Sequence, residues 1–181
     1  IWVMELVGDV LWTREIITRR RASFFEQEQL LAEVFQRYRV VRCRMDQTGM
    51  GEKPVEDAKR KHGESRVEGI LFSAANKLDM ATVLKESMQD RKSRIPAGDV
   101  PLRADLHSIK KQVGLTGTPR LIADSDTDGH ADRFWAGALA VSAGQLTYQP
   151  YDYRPVPLGG GSDFDRDIRS TGGFRVGKGI F

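Results

Sequence analysis

Two stretches of the 181-residue sequence crowd acidic side chains against glycine-bearing turns. One is Asp46-Gln47-Thr48-Gly49-Met50-Gly51-Glu52, and the other is Asp124-Ser125-Asp126-Thr127-Asp128-Gly129-His130-Ala131-Asp132. In the first, Asp46 closes an apolar run that reads as a strand, and the glycines after it leave its carboxylate open to a closely approaching backbone. In the second, Asp132 falls in the first turn of a helix, with Asp128 and His130 just before it. Carboxylates brought from separate elements to one rim suit hard divalent cations, and Mg²⁺ keeps several waters, so a few suffice. Two Mg²⁺ or Mn²⁺ ions about 3.5–4 Å apart activate a water and stabilise the leaving oxygen of a phosphodiester. Asp46 and Asp132 are therefore the candidate catalytic and metal-binding residues, with Asp128 a further metal ligand. His130 and Glu52 are candidate supporting groups. Lys53 and Lys77, expected near the same rim, are candidate contacts to DNA phosphate.

Each residue also has an ordinary reading. Asp128-Gly129 makes a turn, Asp132 is a favourable charge at a helix start, and Asp46 can serve structure alone. The Asp124–Gly129 string has the spacing of a Ca²⁺ loop, but Trp135 stands where its twelfth-position Glu belongs. Gly172, Gly177 and Lys178 approach a P-loop, yet Gly179 replaces the Mg²⁺-binding Ser/Thr and no strand precedes them. His62, His107 and His130 are scattered, without zinc-type spacing. The single cysteine, Cys43, lies between Arg42 and Arg44 in an apolar-containing run and reads as a buried or half-buried structural thiol.

The elements that must position these acids follow from the pattern. Ile1–Val7 and Val10–Arg19 are β-type runs joined by Gly8-Asp9, a hairpin. Ser23-Phe24-Phe25-Glu26 has the form of a capping box opening a helix. Arg39–Met45 reads as a strand ending at Asp46, followed by a loop and a helix over Pro54–Lys61. Val67–Phe72 is a strand, and Asn76 caps a helix running to about Arg91. Ser93–Pro96 is briefly extended. Leu102, Leu106, Ile109 and Val113 repeat at helical steps and predict one helix through all four. Arg120–Ala123 is a short strand, and a buried helix spans His130 to Ala143. This order describes an α/β layer with a mixed sheet flanked by helices. Such sheets place ligands beyond the carboxyl ends of their strands, where Asp46 sits.

Residues 1–145 form one expected domain, and the Pro/Tyr/Gly-rich stretch 146–181 a tail. A composition of 40% hydrophobic and 29% charged residues is that of a globular domain. No apolar run approaches the roughly 20 residues of a transmembrane helix, so no membrane association is expected, and cysteine usage fits a reducing cytosol. The net charge of +3 is small, but its placement in Arg19-Arg20-Arg21, Arg37/Arg39/Arg42/Arg44, Lys59-Arg60-Lys61 and Arg91-Lys92/Arg94 suits a polyanion partner. Solvated helix faces account equally well for any one cluster.

The segment Arg44–Glu52 resembles the second acidic motif of phage terminase large-subunit nucleases, the Mu-like group in particular. Gly129-His130-Ala131-Asp132-Arg133-Phe134-Trp135-Ala136 resembles the third, and the similarity extends over residues 1–143. The resemblance implies a ribonuclease H-like fold and two-metal hydrolysis of double-stranded, concatemeric DNA in the host-cell cytoplasm. It also implies an upstream ATPase domain in the same polypeptide, and a portal protein and a small terminase subunit as partners. The family pattern begins with an aspartate on a central first strand. The sequence opens within the hairpin, so that first strand is expected to be absent from it, and the resemblance implies that its activity depends on that strand. Asp9, in the hairpin turn, lies at the wrong strand end to replace the missing carboxylate. Two other functions fit the residues: a junction resolvase or integrase-like nuclease of the same fold, which would prefer branched DNA, and a non-catalytic module docking on the portal or a partner subunit, which would bind no metal.

Overall fold

The computed structural model describes residues 1–113, 119–123 and 131–145; the acids Asp124, Asp126 and Asp128, His130, and the expected tail 146–181 lie outside them. The hairpin forms as expected, with β1 at Trp2–Val7 and β2 at Val10–Ile16 paired antiparallel around Gly8-Asp9. Gly8 takes φ +66°, the left-handed turn conformation that glycine adopts without a Cβ penalty. Strand β2 ends at Ile16, three residues short of the expected Arg19.

Helix α1, Phe24–Arg37, opens on the complete capping box: the Glu26 N–H donates to Ser23 Oγ and the Ser23 N–H to the Glu26 carboxylate. Strand β3 covers only Cys43–Asp46, shorter than the expected run from Arg39, because its parallel partner β4 is the four-residue Val67–Ile70. Between them a 3-10 turn at Gly49–Gly51 leads into α2, Glu52–His62, which places Pro54 in the first turn. The next helix, α3, spans Ala74–Gln89, and its cap is Ser73, not Asn76. Ser73 Oγ accepts from the Asn76 N–H, while the Asn76 amide turns back to the Leu71 carbonyl. Both residue types cap helices, and the one already extended before Ala74 does so.

Ser93–Arg94 forms β5, parallel to β2. The expected helix through Val113 is corrected: α4 is Val100–Ser108, capped by Asp99, and the chain then extends as β6, Ile109–Val113. This strand pairs antiparallel with β7, Pro119–Ala123. A four-residue step between Ile109 and Val113 is compatible with either period, and pairing with β7 decides it. Helix α5 spans Asp132–Gln145.

The strands make three hydrogen-bonded groups, β1-β2-β5, β3-β4 and β6-β7, in place of the single mixed sheet expected. Both parallel and antiparallel pairs occur, so the mixed α/β class holds. The main core joins α3 and α5 to β2 through Leu11, Met80, Leu84, Phe134, Ala138 and Val141. A second cluster seats α1 and α2 on β4 through Leu31, Ala58 and Val67. Helix α5 lies tight on the hairpin, since a Cβ at Gly137 would stand 2.6 Å from the Trp2 ring. Strands β1 and β3 each keep one edge without a strand partner among the described residues. A cavity of about 1350 Å³ is lined by both strands, by α1 residues such as Leu31 and Val34, and by α5 residues Ala136, Leu139 and Ala140.

Candidate functional site

Asp46 ends β3 with its side chain exposed, as a strand-end carboxylate should. One oxygen, Oδ1, accepts from the Thr48 N–H at 2.8 Å in an Asx-type turn. The loop is then pinned to the end of β4. The Gln47 N–H donates to the Ile70 carbonyl at 2.9 Å, and the Phe72 N–H to Thr48 Oγ1 at 2.8 Å. The two glycines have separate reasons. Gly49 adopts φ +59°, and any Cβ at Gly51 would collide with the Asp46 carbonyl. The carboxylate is thus held by a turn that folds back against its own backbone.

Asp132 is the first residue of α5, and its side chain is exposed. Ala131 before it is buried at 3% exposure and holds φ +54°, a conformation costing a non-glycine residue roughly 1–2 kcal/mol. Strain of this kind persists where surrounding structure fixes the backbone, and functional sites are among those places. The start of α5 is anchored to α4: the Arg133 N–H faces Asp105 Oδ2 at 3.4 Å, and its guanidinium stands 3.7 Å from the same oxygen.

The two acidic motifs meet through Phe72. Its backbone is bonded to Thr48 of the Asp46 loop, and its ring lies 5.4 Å from that of Trp135, one turn along α5 from Asp132. Lys77, in the first turn of α3, sits over both rings, with Nζ 5.4 Å from the Phe72 centroid and 5.3 Å from that of Trp135. Lys53 is differently engaged. It is paired with Asp57 at 2.6 Å, and this contact holds the Asp57 carboxyl below its ordinary pKa. Glu52 opens α2 with its side chain exposed. Asp128 and His130 fall outside the described residues.

Asp46 and Asp132 are exposed oxygen donors, the kind Mg²⁺ and Mn²⁺ take, and Asp46 Oδ1 is partly committed to Thr48. Among the described residues no group of three or more acidic, histidine or cysteine side chains is placed to hold a metal ion. The carboxylates therefore fit a hard cation as partial contributors and need at least one further ligand. Asp9 stands exposed in the β1–β2 turn, 4.0 Å from Lys92. Cys43 is a half-buried free thiol whose pKa burial pushes up to about 11, so it stays protonated and serves packing. Phe72 and Trp135 are not among the residues whose types and spacing mark the site in the sequence. An aromatic residue just past a strand end, and another one turn beyond an acid, was the available signal.

The model of the Terminase RNaseH-like domain family matches residues 1–143, and the chain belongs to that family. Among solved structures, the large terminase nuclease from thermophilic phage G20c, crystallised with bound magnesium, superposes with a TM-score of 0.56 at 20% sequence identity. The match covers 67% of this chain and 62% of that one, so the chain spans under two thirds of its solved relative. At this identity the likeness shows the fold. A search of curated proteins finds no match. No helix among the described residues is long and apolar enough to cross a membrane.

Proposed function

We propose that this member of the terminase ribonuclease H-like family is the metal-dependent endonuclease domain of a DNA-packaging large subunit. In this reading Asp46 and Asp132 hold Mg²⁺ or Mn²⁺, Asp128 adds a ligand, and His130 and Glu52 support them. The bound ions would supply an activated water and neutralise charge on a phosphodiester of double-stranded DNA. The chain's own part is to fix the carboxylates: the Thr48 turn orients Asp46, and the Asp105–Arg133 contact sets the start of α5. The carrying observation is Phe72, which ties the Asp46 loop to Trp135 on the helix that Asp132 opens. The magnesium in the G20c nuclease supports the choice of ion.

The same reading gives the cavity between β1 and β3 an occupant. It receives an extended strand bearing the family's first aspartate, hydrogen-bonded to both free edges and covered by α1 and α5. A strand covered on both faces calls for a continuous apolar run. Residues 1–145 then form the nuclease domain, with 146–181 as a segment outside it. Concatemeric DNA as substrate, an ATPase domain upstream, and the portal and small subunit as partners follow from the same assignment.

In the complete protein, Asp46→Ala or Asp132→Ala should lower Mn²⁺-dependent plasmid nicking by at least 100-fold while leaving thermal unfolding nearly unchanged. Nicking retained by both well-folded variants would overturn the assignment.

A further inference from the structure

Three described cations are each paired with an acid: Lys53 with Asp57, Arg133 with Asp105 and Arg44 with Glu68. Lys77 makes no ion pair among the described residues. It is half-buried, and its ammonium rests over the Phe72 and Trp135 rings. It also stands in the first turn of α3, where the helix dipole disfavours a positive charge. Among the described residues, the two ring faces are the contacts that hold this flexible ammonium there.

One ring is tied to the first acidic motif and the other lies on the helix that the second opens. Phe72 is bonded through Thr48 Oγ1 to the turn that holds Asp46, and Trp135 follows Asp132 by one helical turn. We propose that Phe72 and Trp135 form an aromatic seat that fixes Lys77 between the acidic motifs, where its ammonium grips a phosphate oxygen of the DNA strand entering the site. Lys77 is then a contact to substrate, and Phe72 and Trp135 are positioning residues. The proposal rests on the nuclease reading above and adds a named mechanism for placing the phosphate. Anchoring on two rings leaves Lys77 donors free for an anion, which an ion pair would consume. Coupling both rings to the acid-bearing elements ties the cation's position to that of the carboxylates.

The test uses the complete protein and Lys77→Met, which keeps the apolar stem on the rings, beside Lys77→Arg, Phe72→Leu and Trp135→Leu. Duplex binding is measured in an Asp46→Asn background across a range of salt, so that binding is read apart from cleavage. Lys77→Met should reduce the slope of log affinity against log salt by about 0.9, the equivalent of one phosphate contact. In the active protein, the same change should lower the nicking rate at saturating DNA by 10- to 100-fold, with Lys77→Arg recovering most of it. Phe72→Leu and Trp135→Leu should reproduce part of the loss with Lys77 still in place. An unchanged salt slope together with a full nicking rate in Lys77→Met overturns the proposal. If Asp46→Asn and Asp132→Asn both still cleave, the nuclease reading fails instead, which keeps the two outcomes distinct. Should a leucine variant unfold, the Lys77→Met and Lys77→Arg pair decides alone.

Discussion

At the scale of single residues, the site depends on small groups that hold larger ones. Gly51 has no room for a Cβ beneath the Asp46 carbonyl, and Thr48 uses both its N–H and its hydroxyl, one toward Asp46 and one from Phe72. The strand-end acid and its glycines were legible in the sequence because strand termination and turn chemistry are local. The aromatic seat was not, since it joins residues 63 positions apart and no local period reports such a contact. His62 gives a residue-scale prediction. Its ring stacks on Phe35 at 3.9 Å, and its Nε2 is buried without a partner among the described residues. Burial is the main cause that lowers its pKa, with Lys61 and Arg66 adding to the shift and Glu28 opposing it. The unfolded chain therefore takes up this proton first, at about 6.5, and stability falls as pH drops through that value. Urea midpoints should decrease between pH 7.5 and 5.5, and His62→Phe, which keeps the stack, should flatten that decrease. An equal pH dependence in the variant would show that other groups set it.

At the scale of elements, caps and pairings decided what periodicity alone left open. The Ser23–Glu26 box was readable because both partners lie within one turn, and both bonds form. Ser23→Ala should cost about 1 kcal/mol, measured by chemical denaturation, because it removes one bond and weakens the other. A change near zero would mean that α1 is held by Leu31 and Val34 packing alone. The stretch after Ser108 shows the opposite case. Its apolar spacing fits a helix, yet Ile109–Val113 is a strand, because β7 supplies a ladder that short-range pattern does not register. The choice of Ser73 over Asn76 as a cap has a similar origin. The Leu71 carbonyl captures the Asn76 side chain, a contact set by how β4 meets α3.

At the scale of the whole molecule, the order of hairpin, helix, strand, helix and strand was legible, and with it the mixed α/β class. The division into three strand groups was not, because strand neighbours depend on chain that is distant in sequence. The cavity between β1 and β3 is the physical mark of that division. If it takes a strand, a protein carrying the upstream strand should protect backbone amides along both free edges. Native-state hydrogen exchange would then slow in β1 and β3 relative to residues 1–181 alone. Equal exchange in the two proteins would leave the cavity without that occupant.

In the proposed function, Asp46 and Asp132 serve one metal-dependent phosphodiester hydrolysis. The most direct measurement is relaxation of supercoiled plasmid by the complete protein with Mn²⁺, with EDTA, and with Asp46→Asn or Asp132→Asn. The expected result is nicking with Mn²⁺ that stops on chelation, returns when Mn²⁺ is restored, and is lost in either variant. Cleavage that persists with EDTA, or in both variants, would contradict it.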